Sequence, residues 1–184
     1  MAGFANLASS RETRIFMAAP RRMLSYTQAH PGFPIYHCRM TPQQLEQLWA
    51  EHIAGEFVSK DVEATLDTMV DDAYVDHMPV HTGGRGKDEL RVFYRDIFIP
   101  SWPEDLKMTP VSRVVGESQL VDEMHLSFTH SKRMEWFLPG VEPTNRKVEI
   151  DLVVVVQFRG DKLCCERIYW DQATVLRQVG LLID

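Results

Sequence analysis

The 184 residues hold no run of about 18 apolar residues, the length a helix needs to cross a bilayer, so no membrane span is expected. Beyond residue 40 the longest apolar stretch is Leu152 to Val156, a strand's length. Cysteine is scarce: Cys38, Cys164 and Cys165. The adjacent pair would point to opposite faces of a strand, so neither a disulfide framework nor a cysteine metal set is expected. A reducing, cytoplasmic setting is the corresponding expectation. Also missing are a Gly-x-Ser-x-Gly elbow, a phosphate loop and a dinucleotide fingerprint. Gly83-Gly84-Arg85-Gly86 is too short to serve as one, and no base stands beside the cysteine pair to activate a thiol nucleophile. Basic residues are outnumbered 20 to 26. Five arginines (Arg11, Arg14, Arg21, Arg22, Arg39) and one acid, Glu12, lie in the first 40 residues, which leaves 15 basic and 25 acidic residues beyond them, a net of −10. Such a field repels phosphate, so nucleic acid is not expected as a partner.

The first 40 residues carry Pro20, Pro31 and Pro34 and no sustained period. They read as a flexible or extended extension before a domain at 41–184. Their arginine richness is also that of a mitochondrial transit peptide, the alternative to a cytoplasmic location, and no apolar stretch fit for a secretory signal follows the early arginines.

Thr41-Pro42-Gln43-Gln44 combines a capping residue, proline at the first helical position and Gln at the third. Leu45, Leu48, Trp49, Ile53 and Phe57 follow at helical spacing, which predicts an amphipathic helix over 42–58. Asp61 caps a short second helix with Val62, Leu66, Met69 and Val70 on its apolar face. Residues 74–77 read as a strand, 82–86 as a loop, and 87–98 as a third helix stopped by Pro100 and Pro103. Then the period changes to two. Four strands are predicted over 108–115, 119–130, 146–158 and 163–170, with a proline-containing loop over 131–145 and a last helix over 172–179 capped by Asp171. Helices first and a strand meander after them predict an α+β layer, helices on one face of a curved antiparallel sheet.

Several segments carry a family resemblance: His77-Met-Pro before the Gly-rich loop and Gly86-Lys-Asp-Glu-Leu, Phe128-Thr-His, Leu138-Pro-Gly-Val-Glu-Pro-Thr, and Glu166-Arg-Ile-Tyr-Trp-Asp-Gln-Ala-Thr-Val-Leu-Arg-Gln-Val-Gly. Together they resemble the SnoaL-like polyketide cyclases of the nuclear transport factor 2-like superfamily, over about residues 42–182. The resemblance implies a cone of three N-terminal helices against a strongly bent sheet, with a pocket inside. Such cones host cyclases, isomerases, dehydratases, epoxide hydrolases and non-enzymatic binders. It also implies an acidic residue on the final strand. Ile168 stands where the family's aspartate aligns, and Glu166 lies two residues earlier on the same face, as its substitute.

Glu166 shares a predicted strand face with Cys164, Ile168 and Trp170, where a raised pKa and a general acid or base role are expected. The alternative is an outward Glu paired with Arg146. His77, at the end of its strand, is expected to hydrogen-bond a substrate carbonyl or shuttle a proton, or else to be a core or capping histidine. His77 and His81 have a metal-like spacing, but Pro79 excludes a helix, and no metal or other cofactor is expected. On 119–130 the face of Met124, Leu126 and Phe128 ends at His130, a candidate at the cavity rim. Asp171 is the remaining catalytic candidate, with helix capping as its other role. Trp49, Tyr74, His81, Phe128, Trp136, Tyr169 and Trp170 are the expected substrate contacts, Trp136 at the mouth.

These readings converge on a cofactor-independent enzyme that performs general acid/base chemistry (cyclisation, isomerisation, dehydration or hydrolysis) on a small, mostly apolar carbonyl, ring or polyketide-like compound. The rival is a binding or assembly module with the same cone. A polar pair inside a closed cavity favours the enzyme, and a filled or apolar cone favours the rival. Leu152, Val154 and Val156 alternate with Val153 and Val155, so both faces of that strand are apolar and a homodimer through the open sheet face is expected.

Overall fold

The computed structural model describes residues 38–182. The chain enters helix α1 (Pro42–Phe57) through a complete capping box: Thr41 Oγ1 accepts from the Gln44 N–H, and the Gln44 side chain accepts from the Thr41 N–H. Asp61 caps α2 (Val62–Asp67) through the N–H groups of Glu63 and Ala64. The two helices meet at Gly55, where a Cβ would stand 2.5 Å from Thr65 Oγ1. Met69 and Val70, expected on the face of α2, instead begin β1 (Met69–His77), which is five residues longer at its start than the predicted strand. Helical period alone could not separate the last turn of a short helix from the start of a buried strand.

Residues 82–85, expected as loop, form a short strand β2 (Thr82–Arg85) paired with β1. Gly83 makes this possible, with φ of 141° and no Cβ to strike the Val75 carbonyl, which would lie 2.0 Å away. Helix α3 (Gly86–Val92) runs into a π-helical turn at Phe93–Phe98 and a 3₁₀ turn at Ile99–Ser101. The widened turn sends Phe93, Tyr94 and Phe98 together toward the interior, as such insertions do at functional sites.

The rest is a meander: β3 (Lys107–Val115), β4 (Gln119–Thr129), β5 (Lys147–Arg159), β6 (Lys162–Trp170) and the closing helix α4 (Gln172–Gln178). The sheet order is β2-β1-β6-β5-β4-β3. All neighbours are antiparallel except β1 and β6, which run parallel, so the sheet is mixed rather than purely antiparallel. Pro110 sits on the edge strand β3 beside a bulge, where its missing N–H breaks no central ladder. The inner residues of β4, β5 and β6 pack with the aromatic side chains of the helical layer in one core.

The proposed extension falls almost wholly outside the described residues, as does any targeting role for it. Its last three residues are described. Cys38 bridges to Gly160 in the β5–β6 turn, the Arg39 N–H also donates to the Gly160 carbonyl, and Met40 packs on the core.

Candidate active site

The inner face of the sheet and the helical layer enclose a cavity of about 50 Å³, room for a few waters. Its wall is apolar except for a few buried polar side chains, notably Glu56, His77, Tyr94 and Glu166. Four residues of that wall, Glu56, Phe57, Trp102 and Met108, also line a surface groove between Lys60 and Lys132, so cavity and groove are neighbours through them.

Glu166 points inward, 4% exposed, and is not an outward acid paired with Arg146. Its Oε1 lies 3.1 Å from His52 Nε2 and accepts from the Tyr94 hydroxyl at 3.4 Å. His52 and Glu56 are one turn apart on α1, and His52 Nε2 is 3.3 Å from Glu56 Oε1. Two carboxyl groups thus flank one imidazole nitrogen, all of them buried. The opposite ring nitrogen has a fixed role. Thr68 Oγ1 donates its proton to the Thr65 carbonyl at 2.6 Å, so it must accept from His52 Nδ1–H at 2.7 Å. With Nδ1 protonated, a neutral ring would aim a lone pair at both carboxyls, whereas an imidazolium aims an N–H at them. Burial opposes that charge, but the negative charges of Glu166 and Glu56 outweigh it and raise the His52 pKa to about 10. Burial raises the pKa of Glu56 despite its attraction to His52. Burial also lifts the Tyr94 pKa, reinforced by the two carboxylates, so its hydroxyl stays a donor.

Helix α1 is held in register by Trp49, whose indole N–H donates to buried Asp122 on β4 at 2.8 Å. Arg113 on β3 completes that contact with two hydrogen bonds, of 2.6 and 3.0 Å. Trp49 then stacks on the His52 ring at 5.5 Å and 14°, a suitable surface for a cation.

His77 occupies another part of the wall, caged by the rings of Phe93, Phe98, Trp136 and Trp170 at 4.9–5.9 Å. Burial depresses its pKa to about 4. Its Nδ1–H donates to the Thr82 carbonyl at 3.1 Å, which leaves Nε2 of the neutral ring an acceptor. With no second N–H to give, the neutral ring accords with the core-histidine alternative rather than with polarising a substrate carbonyl.

Among the expected substrate contacts, Trp49 and Trp136 line the cavity. Trp136 does so from deep in the wall, 1% exposed, rather than at the mouth. Its carbonyl accepts from Thr82 Oγ1 and its indole N–H donates to Ser101. The others stand elsewhere. Trp170 packs behind His77 and Phe137, and Phe128 against Trp102 and Phe137. Tyr74 meets Arg167 and Arg85, and Tyr169 is exposed. His81 sits in the β1–β2 turn with its side chain half exposed beside Asp76.

His130 does not reach the cavity rim. Its Nδ1 accepts from the Thr144 N–H, stapling the 131–145 loop. Asp171 is an exposed cap that accepts from the N–H groups of Ala173 and Thr174 and from the Thr174 hydroxyl, and these bonds lower its pKa.

His52, Glu56, Tyr94 and Trp102 were not singled out as site residues. The signal for the first two was a polar pair at i and i+4 inside the apolar stripe of α1, one position from Ile53 and Phe57 respectively.

A family described as SnoaL-like polyketide cyclase matches residues 44–179. No curated protein matches the chain. Solved structures similar to it include TsrD from Streptomyces laurentii, 20% identical over 78% of this chain and 99% of that one, with a TM-score of 0.59. AclR, a putative hydroxylase from Streptomyces galilaeus, is 15% identical over 78% and 89%, with a TM-score of 0.57. An NTF2-like protein from Burkholderia xenovorans is 18% identical over 76% and 98%, with a TM-score of 0.57. At these identities the likeness is one of fold.

Proposed function

The chain belongs to the SnoaL-like polyketide cyclase family, and from that premise we propose that it is a cofactor-independent enzyme moving a proton on a small, mostly apolar carbonyl compound. One observation carries this reading: two buried carboxyls in the wall of a largely apolar cavity share one buried imidazole. Burying such a group is unfavourable, and an apolar filling would serve a purely structural core better. That favours an enzyme over a binding or assembly module of the same shape.

Glu166 is the group that takes and returns the proton, and Tyr94 donates to it. His52 is the positioning residue. Its imidazolium needs one carboxylate partner, and two are present. When Glu166 accepts a proton from substrate, Glu56 takes over the ion pair, so the buried positive charge is never uncompensated. The same arrangement serves cyclisation, isomerisation or dehydration, since each removes a proton and returns it at another atom.

Glu166→Gln tests the assignment. It preserves size and hydrogen bonding but cannot accept the proton, so turnover of a family-type substrate should fall roughly 10²–10⁴-fold. Turnover and pH profile equal to the parent's would overturn the role of Glu166.

The reading extends to assembly and setting. Val114, Val121 and Val155 are register neighbours across β3, β4 and β5 on the sheet's outer face, with Val153 beside them. A second copy covering this patch gives a homodimer, and sedimentation as a monomer at micromolar concentration would exclude it. A reducing, cytoplasmic location goes with the free thiols of Cys164 and Cys165, and no helix among the described residues is long and apolar enough to cross a membrane.

A further inference from the structure

All four tryptophans are buried, and three of their indole N–H groups have an acceptor: Trp49 has Asp122 at 2.8 Å, Trp136 has Ser101 at 2.9 Å, and Trp170 has Gln172 at 2.6 Å. The fourth does not. Trp102 is 8% exposed, and its Nε1 is buried with no hydrogen-bond partner among the described residues. A buried donor without an acceptor is destabilising, and such groups are few in a folded protein.

The position of Trp102 accounts for the vacancy in its bonding. It lines both the cavity and the adjoining groove, packed against Phe57, Phe98 and Trp136 at 4.7–5.5 Å. The other polar groups of the wall cannot take its place. The His77 N–H is committed to Thr82, and the Tyr94 hydroxyl to Glu166. A carbonyl substrate deprotonated by Glu166 develops negative charge on its oxygen, which needs a donor.

We propose that the Trp102 indole N–H is the group that recognises the substrate, donating a hydrogen bond to the carbonyl oxygen of a compact apolar ketone or ester. This rests on the cavity being the substrate site. It adds a selection rule: the cavity takes a molecule with one acceptor and discriminates against the equally shaped hydrocarbon. Met108 and Met124 in the wall are flexible enough to widen it around a small ring.

The probes are cyclopentanone and methylenecyclopentane, matched in shape and differing in the acceptor. The four indole N–H signals are followed by ¹H–¹⁵N NMR on the full chain while each probe is added. Cyclopentanone should move the Trp102 proton downfield, as a new hydrogen bond does, and methylenecyclopentane should not. Trp102→Phe, which keeps an aromatic ring and removes the donor, should weaken the ketone roughly threefold to tenfold and leave the hydrocarbon unchanged. Equal response of the Trp102 signal to both probes would overturn the donor role while leaving the cavity as the binding site. No response of any cavity residue to either probe would overturn both readings.

Discussion

Two buried histidines, His77 in the cavity wall and His52 against the two carboxyls that line it, carry different charge states. His52 is held as an imidazolium with a pKa of about 10, and His77 as a neutral ring with a pKa of about 4. Burial acts on both in the same direction, downward. The difference lies in what faces the ring: two carboxyls in one case, four aromatic rings in the other. Burial alone therefore does not tell the charge of a histidine; its nearest neighbours do. The wall is divided accordingly into a part that carries charge and a part that gives shape.

The largest effect is expected from removing the cation. His52→Leu leaves Glu56 and Glu166 buried against each other without a counter-charge, and should lower stability by about 3 kcal/mol or more at pH 8. The loss should shrink at pH 5, where Glu56, whose pKa burial raises, takes up a proton. Urea denaturation at both pH values checks this, and an equal loss at both would mean that His52 is not charged.

Next comes the hydroxyl that fixes the ring. Thr68→Val preserves shape but removes the acceptor of His52 Nδ1–H, an expected loss of about 2 kcal/mol from an unpaired charged donor. The His52 pKa, read from its ring-proton NMR signal, should fall as well. An unchanged His52 titration would show that Thr68 does not orient the ring.

The two histidines should also leave separate marks on stability against pH. The folded pKa of His52 is raised, so its contribution is complete below the unfolded value of about 6.5 and is lost as pH rises toward about 10. The folded pKa of His77 is depressed, so its contribution is present above about 6.5 and is lost as pH falls toward about 4, at up to about 1.4 kcal/mol per pH unit. His77→Asn should flatten the acid limb alone. A variant that flattens the alkaline limb instead would reverse the assignment.

The smallest effect is reserved for a residue outside the wall. Asp171→Ala removes the α4 cap and should lower stability by about 1 kcal/mol without altering the pH profile of activity. A loss of turnover well beyond the loss of folded protein would return Asp171 to the site.

Local rules were enough to read much of this chain. The capping box at Thr41, the cap at Asp61, the period change after Pro103 and the cap at Asp171 each act within four residues or along one strand, so the elements they bound were legible in the sequence. That Glu166 shares a face with Ile168 and Trp170 was legible as well, because strand alternation fixes it, but not that this face lines the cavity. Tertiary structure alone decided which groups meet that carboxylate. His52 comes from a helix 114 residues earlier and Tyr94 from a π-helical turn whose extra residue rotates it inward, and neither pairing leaves a periodic trace. The two states of the histidines were equally hidden. A side chain's charge in a buried site depends on groups within a few ångströms in space, whatever their distance along the chain.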